Sequence, residues 1–195
     1  MRQLTGIVYT ILLAVTSGWA QQNGIEVKLA EKLGLCTAQK GQPSNYSMAY
    51  PCNQCKFKFL SLSPGGEPDL LFFLETQSPN HCGSGGCTGT VYRKRGNGYD
   101  EVNNFLGYFE KSIPQSGHSV PDLIYIHVEY PQHDFDNDGS WDPATLRVRY
   151  RWNSGRQSFE IIDILSIEAY EKQIPVTAWR KRLLEEFRQK SPWMY

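Results

Sequence analysis

The chain has 195 residues, with 20 Lys and Arg against 20 Asp and Glu, so its formal net charge is zero. That balance excludes the global electrostatic attraction on which non-specific nucleic-acid binding depends, and the length suits one domain with a substantial core. Eleven Tyr, nine Phe and five Trp, many in alternating runs, point to sheet rather than to a helical bundle.

Met1-Arg2-Gln3 leads into an uncharged stretch over residues 4–20, with an apolar centre at 7–15 and the small-residue end Ser17-Gly18-Trp19-Ala20. This is the pattern of a secretory signal peptide cut after Ala20, its apolar centre being short for a membrane span. No Cys follows the cut, which argues against a lipoprotein anchor, and no later segment is apolar enough to cross a bilayer. The expected organisation is a signal peptide at 1–20, an N-terminal helix and Cys-containing loop at 21–55, and a β-repeat domain with a C-terminal helix at 56–195. The expected location is exported, periplasmic or extracellular.

Residues 25–35 read as a short amphipathic helix, with Leu29 and Leu33 on one side and Gly34 as a stop. Residues 37–50 are polar and read as loop, containing the glycosylation sequon Asn45-Tyr46-Ser47. Export places the five cysteines where disulfides persist. Cys82 and Cys87 are expected to pair, because the glycines between them let the backbone turn tightly. Cys36 is expected to pair with Cys52 or with Cys55, leaving one thiol over. Cys52-Asn53-Gln54-Cys55 also has thiol-redox spacing, although Pro51 precedes it and a strand follows. Cys52, Cys55, Cys82 and Cys87 have the spacing of a four-thiolate zinc site as well.

From Lys56 onward the chain reads as a pattern stated twice. Pro68-Asp69-Leu70-Leu71-Phe72-Phe73-Leu74-Glu75 recurs as Pro121-Asp122-Leu123-Ile124-Tyr125-Ile126-His127-Val128-Glu129. Each copy continues into a long loop and a hairpin, the hairpins turning at residues 96–98 and 153–155, where Gly and Asn supply positive φ. The expected fold is mainly β (α+β): two related three-stranded units forming one antiparallel sheet or a small sandwich. The short N-terminal helix and a C-terminal amphipathic helix at 177–189 flank it, the latter with Trp179, Leu183, Leu184 and Phe187 on one side.

The loop of the second copy carries Asp134-Phe135-Asp136-Asn137-Asp138-Gly139-Ser140-Trp141-Asp142. Carboxylates fall at loop positions 1, 3, 5 and 9, a glycine at 6, and the Ser140 carbonyl at 7. Calcium takes six to eight oxygens, and a tight loop supplies them from alternate residues. An EF-hand needs Glu at position 12, where Thr145 stands. The nine residues resemble instead the integrin-type FG-GAP calcium loop, which implies calcium held by Asp134, Asp136, Asp138, Ser140 and Asp142. The resemblance covers this loop alone and implies no propeller. In the matching slot of the first copy stands the Cys82-to-Cys87 segment, a covalent staple where the second copy has a candidate metal staple.

Arg147, Arg149 and Arg151 alternate with Leu146, Val148, Tyr150 and Trp152, placing three guanidinium groups on one strand face. Such a strip suits an anionic glycan or an acidic protein face of the cell envelope, or else cross-strand carboxylates. His127 and Glu129 share a face two residues apart, a spacing compatible with acid-base chemistry, but no nucleophile or phosphate-loop motif accompanies them. The leading expectation is an exported non-catalytic binding or inhibitory module, held by disulfide and one calcium. The alternatives are an exported hydrolase or thiol-redox protein, and a structural envelope protein.

Overall fold

In the computed structural model the described residues are 24–37, 50–63, 67, 69–135, 139–140, 142–169 and 172–190, apart from the side chains of 129–132, 172 and 188–190. Helix α1 is Ile25–Lys32, shorter at its C-terminal end than expected. It ends at Gly34, whose φ of 73° is the left-handed conformation that glycine adopts without a Cβ clash. A 3₁₀ turn at Cys52–Gln54 then leads into the strands, nine among the described residues. These are β1 (Lys56–Ser61), β2 (Leu71–Gln77), β3 (Cys82–Gly83), β4 (Gly86–Arg95), β5 (Gly98–Ile113), β6 (Asp122–His133), β7 (Asp142–Asn153), β8 (Ser158–Ala169) and β9 (Lys172–Ile174). Helix α2, Val176–Lys190, closes the order.

The strands form one antiparallel sheet in the order β1-β2-β4-β5-β6-β7-β8-β9, with β3 attached to β4. The fold is therefore mainly β with a helix on each side of the strand run. Three strand steps in a flat sheet span roughly 14 Å. Yet Phe73 of β2 meets Tyr125 of β6, three steps away, with ring centroids 6.2 Å apart. The sheet must curl until its inner face encloses a core.

Strand β5 makes that curl. Its first part, to Gly107, pairs with β4, and its second part, from Tyr108, pairs with β6. At the junction Gly107 has φ 141°, and a Cβ there would stand 2.2 Å from the Ile126 carbonyl oxygen, so only glycine fits. The enclosed core includes Phe73, Val91, Phe105, Tyr125, Leu146, Val148, Ile164 and Leu183. A second cluster lies under α1, where Leu29 and Ala30 meet Cys36, Cys52, Cys55, Phe72, Leu74 and Tyr92. Both faces of β2 are thus buried, which explains its unbroken apolar run in place of alternation.

The two expected hairpins are β4–β5 and β7–β8. In the first, Gly96 supplies the positive φ of 58°. The second departs from expectation: Gln157, at φ 55°, holds the left-handed position instead of Gly155. The Asn153 side chain accepts hydrogen bonds from the Gly155 and Arg156 amides, and this local turn shifts the reversal towards the end of the loop.

Candidate functional site

His133 pairs with Asp142 across β6 and β7, so residues 134–141 are the connecting loop. Phe135 is buried, its ring against Trp179 of α2 at 4.8 Å and against His133 at 5.5 Å between centroids. This anchor holds the start of the loop against the core, and Asp134 and Asp142 hydrogen-bond within the loop. Asp134 Oδ2 accepts from the Gly139 amide at 2.9 Å, and Asp142 Oδ2 accepts from the Phe135 amide at 3.0 Å. Gly139, at loop position 6, has the positive φ of 89° that the tight turn requires.

Asp142 is 0% exposed, and its Oδ1 has no hydrogen-bond partner among the described residues. A buried polar atom left bare costs about 1–3 kcal/mol, more when charged, and such an atom asks for an explanation. Ser140 is exposed on the loop, and Asp136 and Asp138 lie outside the described residues. Among the described residues no three His, Cys, Asp or Glu side chains gather as a metal needs.

Arg147, Arg149 and Arg151 do share one face, and carboxylates meet them there. Arg147 makes two bonds to Glu110, at 2.5 and 2.6 Å, while Arg149 and Arg151 converge on Asp122, which is 0% exposed. Burial alone would lift the Asp122 carboxyl, but hydrogen bonds and charge from Arg151 and Arg149 hold it below its ordinary value. Asp122 is a partner that sequence reading missed. It stands one residue after Pro121 in the repeated motif, and only the β6–β7 register puts it beside Arg151.

Cys36 bonds Cys52 and Cys82 bonds Cys87. Cys55 keeps its thiol, buried and directed at the Pro51 carbonyl at 3.6 Å. Burial pushes that thiol up, while a hydrogen bond with the Ser78 side chain pulls it less strongly the other way. Three of the four thiols of the zinc reading are consumed in these bridges, and the Cys52-Cys55 redox pair does not form. The reason is geometric: the bridge Thr37↔Pro51 lays the Cys36 end of the chain alongside Cys52 before Cys55 is reached.

His127 is 0% exposed. Its Nδ1 lies 2.6 Å from the Leu106 carbonyl, which only accepts, so Nδ1 carries the proton and Nε2 accepts from the Tyr150 hydroxyl at 2.7 Å. Burial drives its pKa down to about 3. A neutral ring with both nitrogens engaged inside the core has no access to a dissolved substrate. The Glu129 side chain is outside the described ones. A second unforeseen group is Glu75, 0% exposed, which accepts from the Phe109 amide at 2.9 Å and pairs with Lys58 at 3.1 Å.

Among the described residues of the sheet, Leu106 and Tyr108 of β5 are the large apolar side chains left open, at 45% and 41% exposure. The stapled β3–β4 hairpin lies against Leu106: a methyl at Gly85 would sit 3.7 Å from Leu106 Cδ2. No helix among the described residues is long and apolar enough to cross a membrane. Compared with known proteins, the chain matches no family model, no curated protein and no solved structure.

Proposed function

We propose that this chain is an exported, non-catalytic binding module whose 134–142 loop is held in shape by one calcium ion. The observation that carries the metal reading is Asp142: a fully buried carboxylate on the loop, with one oxygen tied to Phe135 and the other bare. Asp134 and Asp142 would hold the ion from opposite ends of the loop, with Asp136, Asp138 and the Ser140 carbonyl completing the oxygen set implied by the spacing. Calcium adds charge neutralisation and no reaction chemistry in this reading.

Two disulfides are consistent with an oxidising, exported environment. The same topological place holds the Cys82–Cys87 staple in one meander (β2, β4, β5) and the acidic loop in the other (β6, β7, β8), which supports the reading of an internal repeat. Enclosure of His127 and Cys55 supports a binding rather than a catalytic role. The arginine strip is answered by Asp122 and Glu110, so the contact surface is read as the Leu106 and Tyr108 strip beside the stapled hairpin, facing a protein rather than an anionic glycan.

Calorimetric titration of the metal-stripped protein with calcium chloride tests the metal half. One ion per chain is expected, with the heat lost in Asp142→Asn; absence of heat from wild type refutes it. Photo-crosslinking in an exported-protein extract tests the binding half, with the crosslinker placed at Tyr108 and, separately, at the exposed Arg156. Capture confined to the Tyr108 probe is expected, and equal capture from both positions removes the proposed surface.

A further inference from the structure

Three cysteines meet under α1, where two of them share a bond and the third keeps its proton. Cys36, Cys52 and Cys55 are all buried members of the same apolar cluster. Two successive turn bonds bring the last two together: the Gln54 amide donates to the Pro51 carbonyl at 2.8 Å, and the Cys55 amide to the Cys52 carbonyl at 3.2 Å. Side chains three apart in a 3₁₀ turn stand over one another. The ends of such a turn lie within about 7 Å at Cα, and a disulfide spans Cα separations of about 4.4–6.8 Å. Cys52 therefore has two partners within bonding range, Cys36, which holds it, and Cys55.

Cys55 also stands at one end of a hydrogen-bonded path out of the cluster. Its thiol bonds the Ser78 side chain, and Ser78 Oγ lies 2.8 Å from His81 Nδ1. Burial holds the His81 ring below its ordinary value, so near neutrality it is uncharged and Nδ1 can accept the Ser78 proton. A disulfide is attacked by thiolate rather than thiol. Burial keeps Cys55 protonated at rest, and the Ser78 and His81 path gives its proton somewhere to go.

We propose that Cys36, Cys52 and Cys55 are an exchange centre in which one disulfide migrates between Cys36–Cys52 and Cys52–Cys55, fastening α1 covalently in the first state and not in the second. The structure holds the first state. Cys55 Sγ attacks Cys52 Sγ while its proton leaves through Ser78 to His81. The new S–S bond forms as the bond to Cys36 breaks, and the departing Cys36 thiolate takes a proton as His81 gives one up. One thiol and one disulfide stand on each side of the step, so neither oxidant nor reductant enters. The backbone around it stays joined, because the Thr37 amide donates to the Tyr50 carbonyl at 3.0 Å and the Cys52 amide to the Thr37 carbonyl at 2.9 Å. Cys36 thus remains beside Cys52, and the step is reversible. In the second state α1 keeps the burial of Leu29 and Ala30 but loses its covalent tie to the root of β1. The exchange serves no dissolved substrate and is independent of the calcium reading and of the Leu106 surface.

The test uses the intact, oxidised chain, equilibrated under nitrogen at about pH 8, near the ordinary thiol value, then quenched in acid, unfolded and alkylated. Peptide mass spectrometry locates the label. Most chains are expected to carry it on Cys55 and roughly 1–10% on Cys36, the population of a minor state a few kcal/mol above the major one. In the folded Cys36→Ser protein, oxidised in glutathione buffer, Cys52 and Cys55 are expected to join. Hydrogen exchange of α1 is expected to be roughly threefold or more faster in that variant than in Cys55→Ser, which is locked in the first state. Wild-type label confined to Cys55 overturns the exchange, and this measurement needs no variant to fold. Free Cys52 and Cys55 in folded Cys36→Ser overturn the geometry behind it, and equal α1 exchange in the two variants overturns the tether.

Discussion

The Asn103 side chain acts as a piece of strand for Phe159. Its Nδ2 donates to the Phe159 carbonyl at 3.1 Å, and its Oδ1 accepts from the Phe159 amide at 2.7 Å. Asn103 is in β5 and Phe159 in β8, three steps apart in strand order, so this amide closes the curled sheet where no backbone ladder does. Asn103→Ala leaves two backbone groups half-satisfied and is expected to cost about 2–3 kcal/mol. Asn103→Asp exchanges the donor for a carboxylate oxygen facing a carbonyl and is expected to cost at least as much. Urea unfolding measures both, and values within about 0.5 kcal/mol of wild type place the closure elsewhere.

His127 gives the fold an acid-sensitive core. Above pH 6.5 the ring is neutral in folded and unfolded chains alike and contributes no pH dependence. Below it the unfolded chain takes up a proton that the folded chain refuses until about pH 3, so stability falls with falling pH across that window. The slope is up to about 1.4 kcal/mol per unit, or roughly 2–3 kcal/mol between neutrality and about pH 4.5. His127→Gln can still donate to Leu106 and accept from Tyr150. It is expected to flatten this part of the stability profile, and a variant profile parallel to wild type refutes the assignment.

Asp122 governs whether the arginine face is available. Its carboxyl is held below its ordinary value, so the stabilisation it gives is complete above about pH 4, the range of a free Asp, and is lost as pH falls through its folded value. Asp122→Asn leaves Arg149 and Arg151 without their shared charge and is expected to cost about 2–3 kcal/mol, short of a fully enclosed pair because both guanidinium groups are partly solvated. The doubly neutralised Asp122→Asn, Glu110→Gln protein should gain retention on a heparin column over wild type. Strong retention of wild type itself would reinstate an anionic glycan as the partner.

Calcium is expected to raise the melting temperature. At a concentration about 100-fold above its dissociation constant, a ligand specific for the folded state adds roughly 2.7 kcal/mol, which for a chain of this size is about 5–10 °C. Asp136→Ala should melt at one temperature with calcium or chelator. Identical wild-type melts in the two buffers dispose of the metal.

Much of the fold was legible because it is written in short periods. Leu146, Val148, Tyr150 and Trp152 alternate with arginines, and β7 presents them so; Leu183 and Phe187 sit four apart and are the buried stripe of α2. The Cys82–Cys87 bridge was readable for the same reason, both cysteines and their glycines lying within one turn. Three things were not readable. They are the choice of Cys52 for Cys36, the capture of Asp122 by Arg149 and Arg151, and the fate of His127, read with Glu129 for acid-base chemistry yet enclosed in the core.

Strand and helix periods, turn residues and the oxygen spacing of the acidic loop are properties of the local backbone, where each side chain's direction follows from its neighbours in the chain. Partnership is another matter. Register shifts along β5, β6 and β7 decide which side chains meet across the ladders, and the bend at Gly107 decides which face becomes interior. Those choices join residues far apart in the chain, Asn103 and Phe159 being 56 positions from one another, and their energies exist only once the sheet has curled.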